Sequence, residues 1–500
     1  MRYFLYRYRS EIWIVIAALV VLLAYRFIVP IVDTPDSVTY WENAKFFAGV
    51  LKDYPYYYRP PGYPFLIFLS GYPYTHSVRA LLVIQSLMAL AIPLLAYHSL
   101  LIFGKKTAGL AAGLIIITLS NCYFSTAIMS EEYYIFCLML FMYTVSKLCV
   151  NPRSNYIIWA SMVAFLTILV RGLIVPLILV PLLITFIRDR RKSGIALACV
   201  GICLGAMYAW LVIKNTYTPD VQPNERFTNI SLTNLEGRTL FSNIYLFSAM
   251  FNRSFIPEDD IVGRPASKVM RKNGHYTQQL FTILKKDYQE YPQTYSQYTS
   301  AKVMADDYEI APSLRKWGAL SFLILDRQMG VVAADRLLLE VSYEAIRKHP
   351  EIAITWLTNG ILYLLGPPYM TQNDVQPVFY IPRLYIYYQS TESAKDTHYL
   401  KRTAPKRINR FAEWYGVLFL LLKPAVFILT LMTTPYLLKS NNRLFIFILT
   451  MVLFYHVVVT SIFNAPAERY VFTTFPFFLM LLAIGIGAYL KTRNITKYSG

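Results

Sequence analysis

Residues 12–31 read IWIVIAALVVLLAYRFIVPI, a run of 20 residues dominated by apolar side chains. At a rise of about 1.5 Å per residue, a helix of that length crosses the ~30 Å hydrocarbon layer of a bilayer. Lipid offers no partner to a free backbone N–H or C=O, so a spanning run must be a helix or part of a closed barrel. The run shows no apolar/polar alternation, so it reads as a helix. Arg2, Arg7 and Arg9 precede it, as they would precede the core of a leader peptide. It is too long for such a core and no small-residue cleavage pattern follows, so it reads as an uncleaved anchor.

Similar runs recur at 78–103, 107–128, 133–150, 156–170, 172–188, 194–213, 411–438, 444–463 and 470–490, making ten spans. The totals agree: 56% of residues are hydrophobic and only 15% charged, against about 25% charged in soluble domains. The expectation is an all-α integral membrane protein in three parts. Residues 1–213 form a module of seven spans, 214–410 an extracytoplasmic or interfacial segment, and 411–500 a module of three spans. In the middle part, Ala333–His349 carries apolar residues at helical spacing and stops before Pro350. The five cysteines, Cys122, Cys137, Cys149, Cys199 and Cys203, lie almost all in apolar runs without CxxC spacing. Neither a disulfide framework nor a zinc site is indicated.

On a soluble chain the net charge of +19 would suggest nucleic acid as a partner. Here the cations cluster beside spans and set orientation instead, so no nucleic acid is expected. Arg2, Arg7 and Arg9 place the N-terminus in the cytoplasm. Alternation then puts Lys105 and Lys106, Lys147 and Arg153, and Arg188, Arg190, Arg191 and Lys192 on the same side. A shorter apolar run, Ile352 to Leu365, could cross or lie along the interface. If it lies along the interface, Lys439, Arg443, Lys491, Arg493 and Lys497 also fall inside, and that is the reading adopted.

With that topology several polar residues share the outer side. The first outer loop holds Asp33-Thr-Pro-Asp36-Ser-Val-Thr-Tyr40, then Arg59-Pro-Pro-Gly-Tyr63-Pro64. Asp36 suits a helix cap as well as a base. Three prolines and a glycine stiffen the turn after Arg59, which then presents a guanidinium to an anion or serves simply as a surface turn. Ser130-Glu131-Glu132 opens the fourth span, where carboxylates suit the helix dipole and an ionisable group at the membrane edge is also a functional candidate. Arg171 sits at the tight junction after the fifth span, and Arg469-Tyr470 precedes the last span. His456, inside the ninth span, reads as a packing residue. Arginine forks grip phosphate and carboxylates accept protons, so this set suits a phosphate-bearing lipid substrate. No P-loop, GxGxxG after a strand, HExxH or GxSxG is present.

At these residues the chain resembles the GT-C superfamily of polyprenyl-phosphate-sugar-dependent glycosyltransferases, closest to the branch of aminoarabinose transferases and protein O-mannosyltransferases. The carriers are Asp36-Ser37-x-x-Tyr40, Arg59-Pro-Pro-Gly-Tyr-Pro64, Ser130-Glu131, Arg171, His349-Pro350 and Arg469-Tyr470, in that order. The resemblance implies a GT-C-like bundle with juxtamembrane helices on the outer face. It implies Asp36 and Glu131 as catalytic acids, with Asp33 and Glu132 as neighbours able to take those parts. It further implies Arg59, Arg171 and Arg469 at the donor phosphate, and Tyr40, Tyr63 and Tyr470 at the substrate. Some members use a divalent metal, for which Asp36 and Glu131 would be the ligands. The implied partners are a polyprenyl-phosphate-linked sugar, a glycan, lipid or protein acceptor, and membrane lipids. The implied location is a bacterial inner membrane with the site facing the periplasm. Two other readings share the topology: a polymerase or ligase using a lipid-diphosphate donor, and a flippase for a lipid-linked sugar. A flippase commonly shows paired halves and broken helices at mid-membrane, and no internal repeat is seen here.

Overall fold

The structure is a computed structural model. It describes residues 8–29, 35–56, 59–218, 236–241, 274–290, 325–326, 328–348, 350, 353–354, 357–358, 361, 406–438, 440, 442–463 and 468–498. No β-strand occurs among the described residues. The long helices are α1 (Arg9–Ile28), α4 (Arg79–Leu100), α6 (Ser130–Val150), α7 (Ser154–Val170), α9 (Ser193–Tyr217), α13 (Lys406–Leu437), α14 (Arg443–Phe463) and α15 (Glu468–Tyr498). Between them lie α2 (Pro35–Phe47), α3 (Gly62–Leu69), α5 (Lys105–Ile117) and α8 (Val180–Arg188).

Six described helices are long and apolar enough to cross a membrane: Arg9–Ile28, Arg79–Phe103, Ser130–Val150, Arg190–Tyr217, Arg443–Ser461 and Thr473–Arg493. Ser154–Val170, Ile174–Arg188 and Leu421–Leu437 are shorter apolar helices. The central α6 packs against α4 on one side and α7 on the other, and also meets α14 and α15. One apolar core runs through α1, α4–α9 and α13–α15. Small residues let the backbones approach, as membrane helices require. At Gly485 a Cβ would collide with Thr433 of α13, and at Gly487 with Thr107 of α5. Trp13, Leu19, Val20, Leu23 and Phe27 of α1 are exposed, which places that helix at the periphery, where lipid is the solvent.

The run expected to span at 107–128 departs from a single helix. α5 stops at Ile117, Leu119 takes a positive φ of 56°, and residues 118–129 form buried turns. Irregular backbone survives at such depth only when protein satisfies it. Here side chains from four other segments do so. Tyr25 donates to Tyr123 O at 2.7 Å, Gln85 to Phe124 O at 3.3 Å and Ala127 O at 2.8 Å, and Ser37 to Ile128 O at 2.8 Å. Tyr415 donates to Thr118 O at 2.6 Å. The 172–188 run is likewise broken: 172–179 is a 3₁₀ stretch with a non-helical Ile174, ahead of α8.

In the middle segment the expected helix over 333–349 runs from Val331 to Lys348 (α12). It packs on α10 (Glu236–Phe241) and α11 (His275–Glu290). Arg238 is the pin. Its side chain forks onto Asp326 and its backbone N–H donates to Asp335 Oδ1 at 3.0 Å. Glu344 caps α11 from the side, accepting from Tyr276 N at 3.0 Å and from Thr277 N and Oγ1 at 2.9 Å. Gly274 leaves room for that carboxylate. α10 also meets α14, so this segment touches the membrane bundle. Most of 352–365 lies outside the described residues; Ile361 packs against the bundle core.

Candidate active site

The segment between α1 and α4 is built before it is used. Asn43 brackets the backbone of Tyr56, donating to its O and accepting from its N, both at 2.9 Å. Tyr54 N donates to Tyr217 O at the end of α9, and the buried Tyr54 hydroxyl donates to Arg59 O, both at 2.8 Å. Burial pushes the Tyr54 phenol far above its ordinary range, so it stays a donor. These bonds hold the turn that ends in Arg59. The Pro-Pro-Gly-Tyr-Pro run then starts α3 against the end of α7: a Cβ on Gly62 would stand 2.8 Å from Leu169 C and O. Only a residue without Cβ permits that approach.

Arg59 crosses to α2. Its Nε donates to Thr39 Oγ1 at 2.9 Å and its Nη1 to the Tyr40 hydroxyl at 3.4 Å, with the guanidinium carbon 4.8 Å from the Tyr40 ring centre. The Tyr40 hydroxyl lies 3.1 Å from Ser130 Oγ at the start of α6. Tyr63 of α3 meets Tyr40 edge-to-face at 4.9 Å and donates to Gln85 Oε1 at 3.4 Å. Burial raises the Tyr63 phenol well above its ordinary range, and Tyr40 and Glu131 add to the effect. Tyr63 therefore stays protonated beside the site.

Glu131 and Arg171 form the second half. Arg171 Nη2 donates to Glu131 Oε1 at 3.1 Å, with the carboxylate 3% exposed and the guanidinium 16%. The guanidinium carbon also lies 4.8 Å from the Tyr134 ring centre. Behind it, the Tyr134 hydroxyl is 2.9 Å from His456 Nδ1, and His456 Nε2 is 3.3 Å from Thr473 Oγ1. The two candidate acids of α6 are separated by about 100° of helical turn. Glu131 meets Arg171, whereas the fully buried Glu132 is acted on by Arg26 at the end of α1.

The structure thus brings Tyr40, Arg59, Tyr63, Glu131 and Arg171 to one end of the bundle. Asp36 lies within the first turn of α2, inside the helix rather than at its cap, one turn before Tyr40. Arg469 and Tyr470 lie in the first turn of α15. The side chains of these three lie outside the described residues, as does Asp33 entirely. Among the described residues no three of His, Cys, Asp and Glu gather as metal ligands do, and Glu131 already holds a guanidinium. Glu131 is one carboxylate of the expected metal pair, and the other, Asp36, has its side chain outside the described residues.

No protein-family profile matches the chain, and no curated protein matches it. Among solved structures it is similar to ArnT from Cupriavidus metallidurans, crystallised bound to undecaprenyl phosphate, at 12% identity. The match covers 95% of this chain and 77% of that one, with a TM-score of 0.35.

Tyr134, His456, Thr473 and Thr39 were not marked as site residues by the sequence. His456 is the one with a visible signal, a histidine in an otherwise apolar span.

Proposed function

We propose that this chain is a membrane glycosyltransferase that takes a sugar from a polyprenyl-phosphate-linked donor at the extracytoplasmic face. One observation carries the reading. Two arginines from separate segments, Arg59 and Arg171, stand at one end of the bundle, the second paired with Glu131, each partly exposed and each laid over a buried tyrosine. Such a pair suits a phosphate at the membrane surface, because guanidinium forks match its oxygens and stacking fixes their planes. The motif order along the chain and the basic residues at the opposite ends of the helices support the same reading.

In the reaction, an acceptor hydroxyl oxygen attacks the anomeric carbon of the sugar. The new C–O bond forms as the bond from that carbon to the phosphate oxygen breaks, and the electron pair leaves with the polyprenyl phosphate. Asp36, one turn before Tyr40, takes the acceptor proton. The leaving phosphate gains negative charge as the bond breaks, and Arg59, Arg171 and Arg469 hold it. Glu131 keeps Arg171 in place, and Tyr40, Tyr63 and Tyr470 line the sugar. The acceptor class, glycan, lipid or protein, is left to the assay.

The test is sugar release from a panel of polyprenyl-phosphate-sugars in proteoliposomes, supplied with candidate acceptors, with wild type beside Asp36→Asn. Consumption of one donor by wild type and not by the variant supports the reading. Equal turnover by Asp36→Asn removes Asp36 as the base. No consumption of any donor refutes the reading. Chelation is run in parallel. Turnover lost on chelation and restored by a divalent ion shows that the reaction needs the ion, and unchanged turnover leaves the arginines to carry the charge.

A further inference from the structure

The arginines proposed for the donor phosphate stand on different modules. Arg171 follows α7, while Arg469 lies in the first turn of α15. A short buried chain of side chains runs from Arg171 to Thr473 of α15. Arg171 lies over Tyr134, Tyr134 meets His456 Nδ1, and His456 Nε2 meets Thr473 Oγ1. Thr473 is one helical turn beyond Arg469 in α15. The Tyr134 and His456 rings also stack, with centres 5.6 Å apart and planes 26° from parallel. Tyr134, His456 and Thr473 are all buried. A histidine that merely fills space needs no partner from another helix, whereas both nitrogens of this one are engaged, one by α6 and one by α15.

We infer that His456 is a positioning residue: it fixes Arg171, through Tyr134, relative to the start of α15 that bears Arg469. The chemistry of the inference rests on the glycosyl-transfer reading. Each ring nitrogen has one hydroxyl partner, Nδ1 the Tyr134 hydroxyl and Nε2 the Thr473 hydroxyl, and together they hold the neutral ring in one tautomer and one orientation. The Tyr134 ring plane is then set, and with it the face that Arg171 lies on. The donor phosphate carries one charge as a diester and gains a second as the sugar leaves. A misplaced arginine therefore costs more in the transition state than in the bound donor.

The test compares His456→Phe, His456→Asn, Tyr134→Phe and the double variant His456→Phe/Tyr134→Phe in proteoliposomes, per folded molecule. His456→Phe keeps the ring and loses both bonds. The expected loss in kcat is roughly 10- to 100-fold, with KM for the donor changed less than about 3-fold. His456→Asn retains an acceptor near the Nδ1 position and is expected to recover part of kcat. Tyr134→Phe should match His456→Phe, and the double variant should lose little more than either alone. Unchanged kcat per folded molecule, or losses that simply add, overturns the inference.

A second readout does not depend on turnover. With ¹⁵N-histidine labelling, His456 is expected to show a single neutral tautomer, one ring nitrogen protonated and the other not, and Tyr134→Phe to alter that pattern. If wild type transfers from no donor and this pattern is found, the function fails and the strut stands. A mixture of the two tautomers, or a pattern indifferent to Tyr134→Phe, overturns the strut whatever the turnover.

Discussion

Gly62→Ala should damage both halves of the site at once, although neither half contains Gly62. The added Cβ would stand 2.8 Å from Leu169 C and O and 2.9 Å from Val170 N. Ordinary contact begins at about 3.4 Å, so α3 and the end of α7 must part by roughly 0.5 Å. The obstacle is backbone, which cannot swing aside as a side chain would, and overpacking of this kind costs about 1–3 kcal/mol. The displacement falls between Arg59, three residues before Gly62, and Arg171, directly after Val170. A misplacement of 1 Å costs about 100-fold in rate, so roughly tenfold is expected here, together with a lower thermal midpoint. The assay is donor turnover per folded molecule in proteoliposomes, with thermal unfolding in detergent. Gly109→Ala and Gly113→Ala in α5 are the controls. No atom lies within 4 Å of either added Cβ, so they should be neutral or gain up to ~1 kcal/mol of helix propensity. Wild-type turnover and midpoint in Gly62→Ala would refute the claim that this glycine sets the approach.

Three further outcomes follow from named contacts. Arg171→Lys keeps the charge but loses the Nη2 bond to Glu131 and the planar contact on Tyr134; turnover should fall about tenfold or more, and a rate within twofold of wild type would deny Arg171 a geometric role. Gln85→Leu strips the donor from Phe124 O and Ala127 O, leaving buried carbonyls short of partners at about 1–3 kcal/mol; an unchanged thermal midpoint would show that the 118–129 turns do not rely on it. The third concerns Glu344. Burial alone would raise its carboxyl, but the bonds from Tyr276 N, Thr277 N and Thr277 Oγ1 outweigh it and hold the carboxyl below its ordinary range. A depressed folded value contributes stability that is present above the unfolded value of about 4.3 and lost as pH falls through the folded one. Protection of the 275–290 amides against hydrogen exchange, taken relative to the intrinsic rate at each pH, should therefore fall below about pH 4 in wild type. In Glu344→Gln that step should be absent, and its persistence would place the acid sensitivity elsewhere.

The spans were legible because hydrocarbon thickness imposes run length, and length survives in a single sequence. The error at 107–128 has the same cause. A buried irregular segment also needs apolar side chains, and what marks it as irregular is the set of donors that satisfy its carbonyls. Those donors, Tyr25, Ser37, Gln85 and Tyr415, lie far from it along the chain. Arg59-Pro-Pro-Gly-Tyr-Pro was legible as a stiff turn presenting a cation, whereas the need for Gly62 comes from the backbone of Leu169.

Glu131 and Glu132 show the boundary most sharply. By composition they are interchangeable, and both suit the first turn of α6. What separates them is that Glu131 pairs with Arg171 while Glu132 is fully buried and feels only the charge of Arg26, and that is decided by how the helices pack around α6. The same holds for His456. Read alone it is a packing histidine, but its partners are 322 and 17 residues away, on two other helices. Residues that present charge at a loop are readable because the loop announces them. Residues that aim that charge work across helix interfaces, so their role follows from the crossing of α6, α14 and α15. A proposed site built from one acid and several arginines is therefore only as good as the buried polar chain behind it, and in this chain that polar chain passes through a single imidazole.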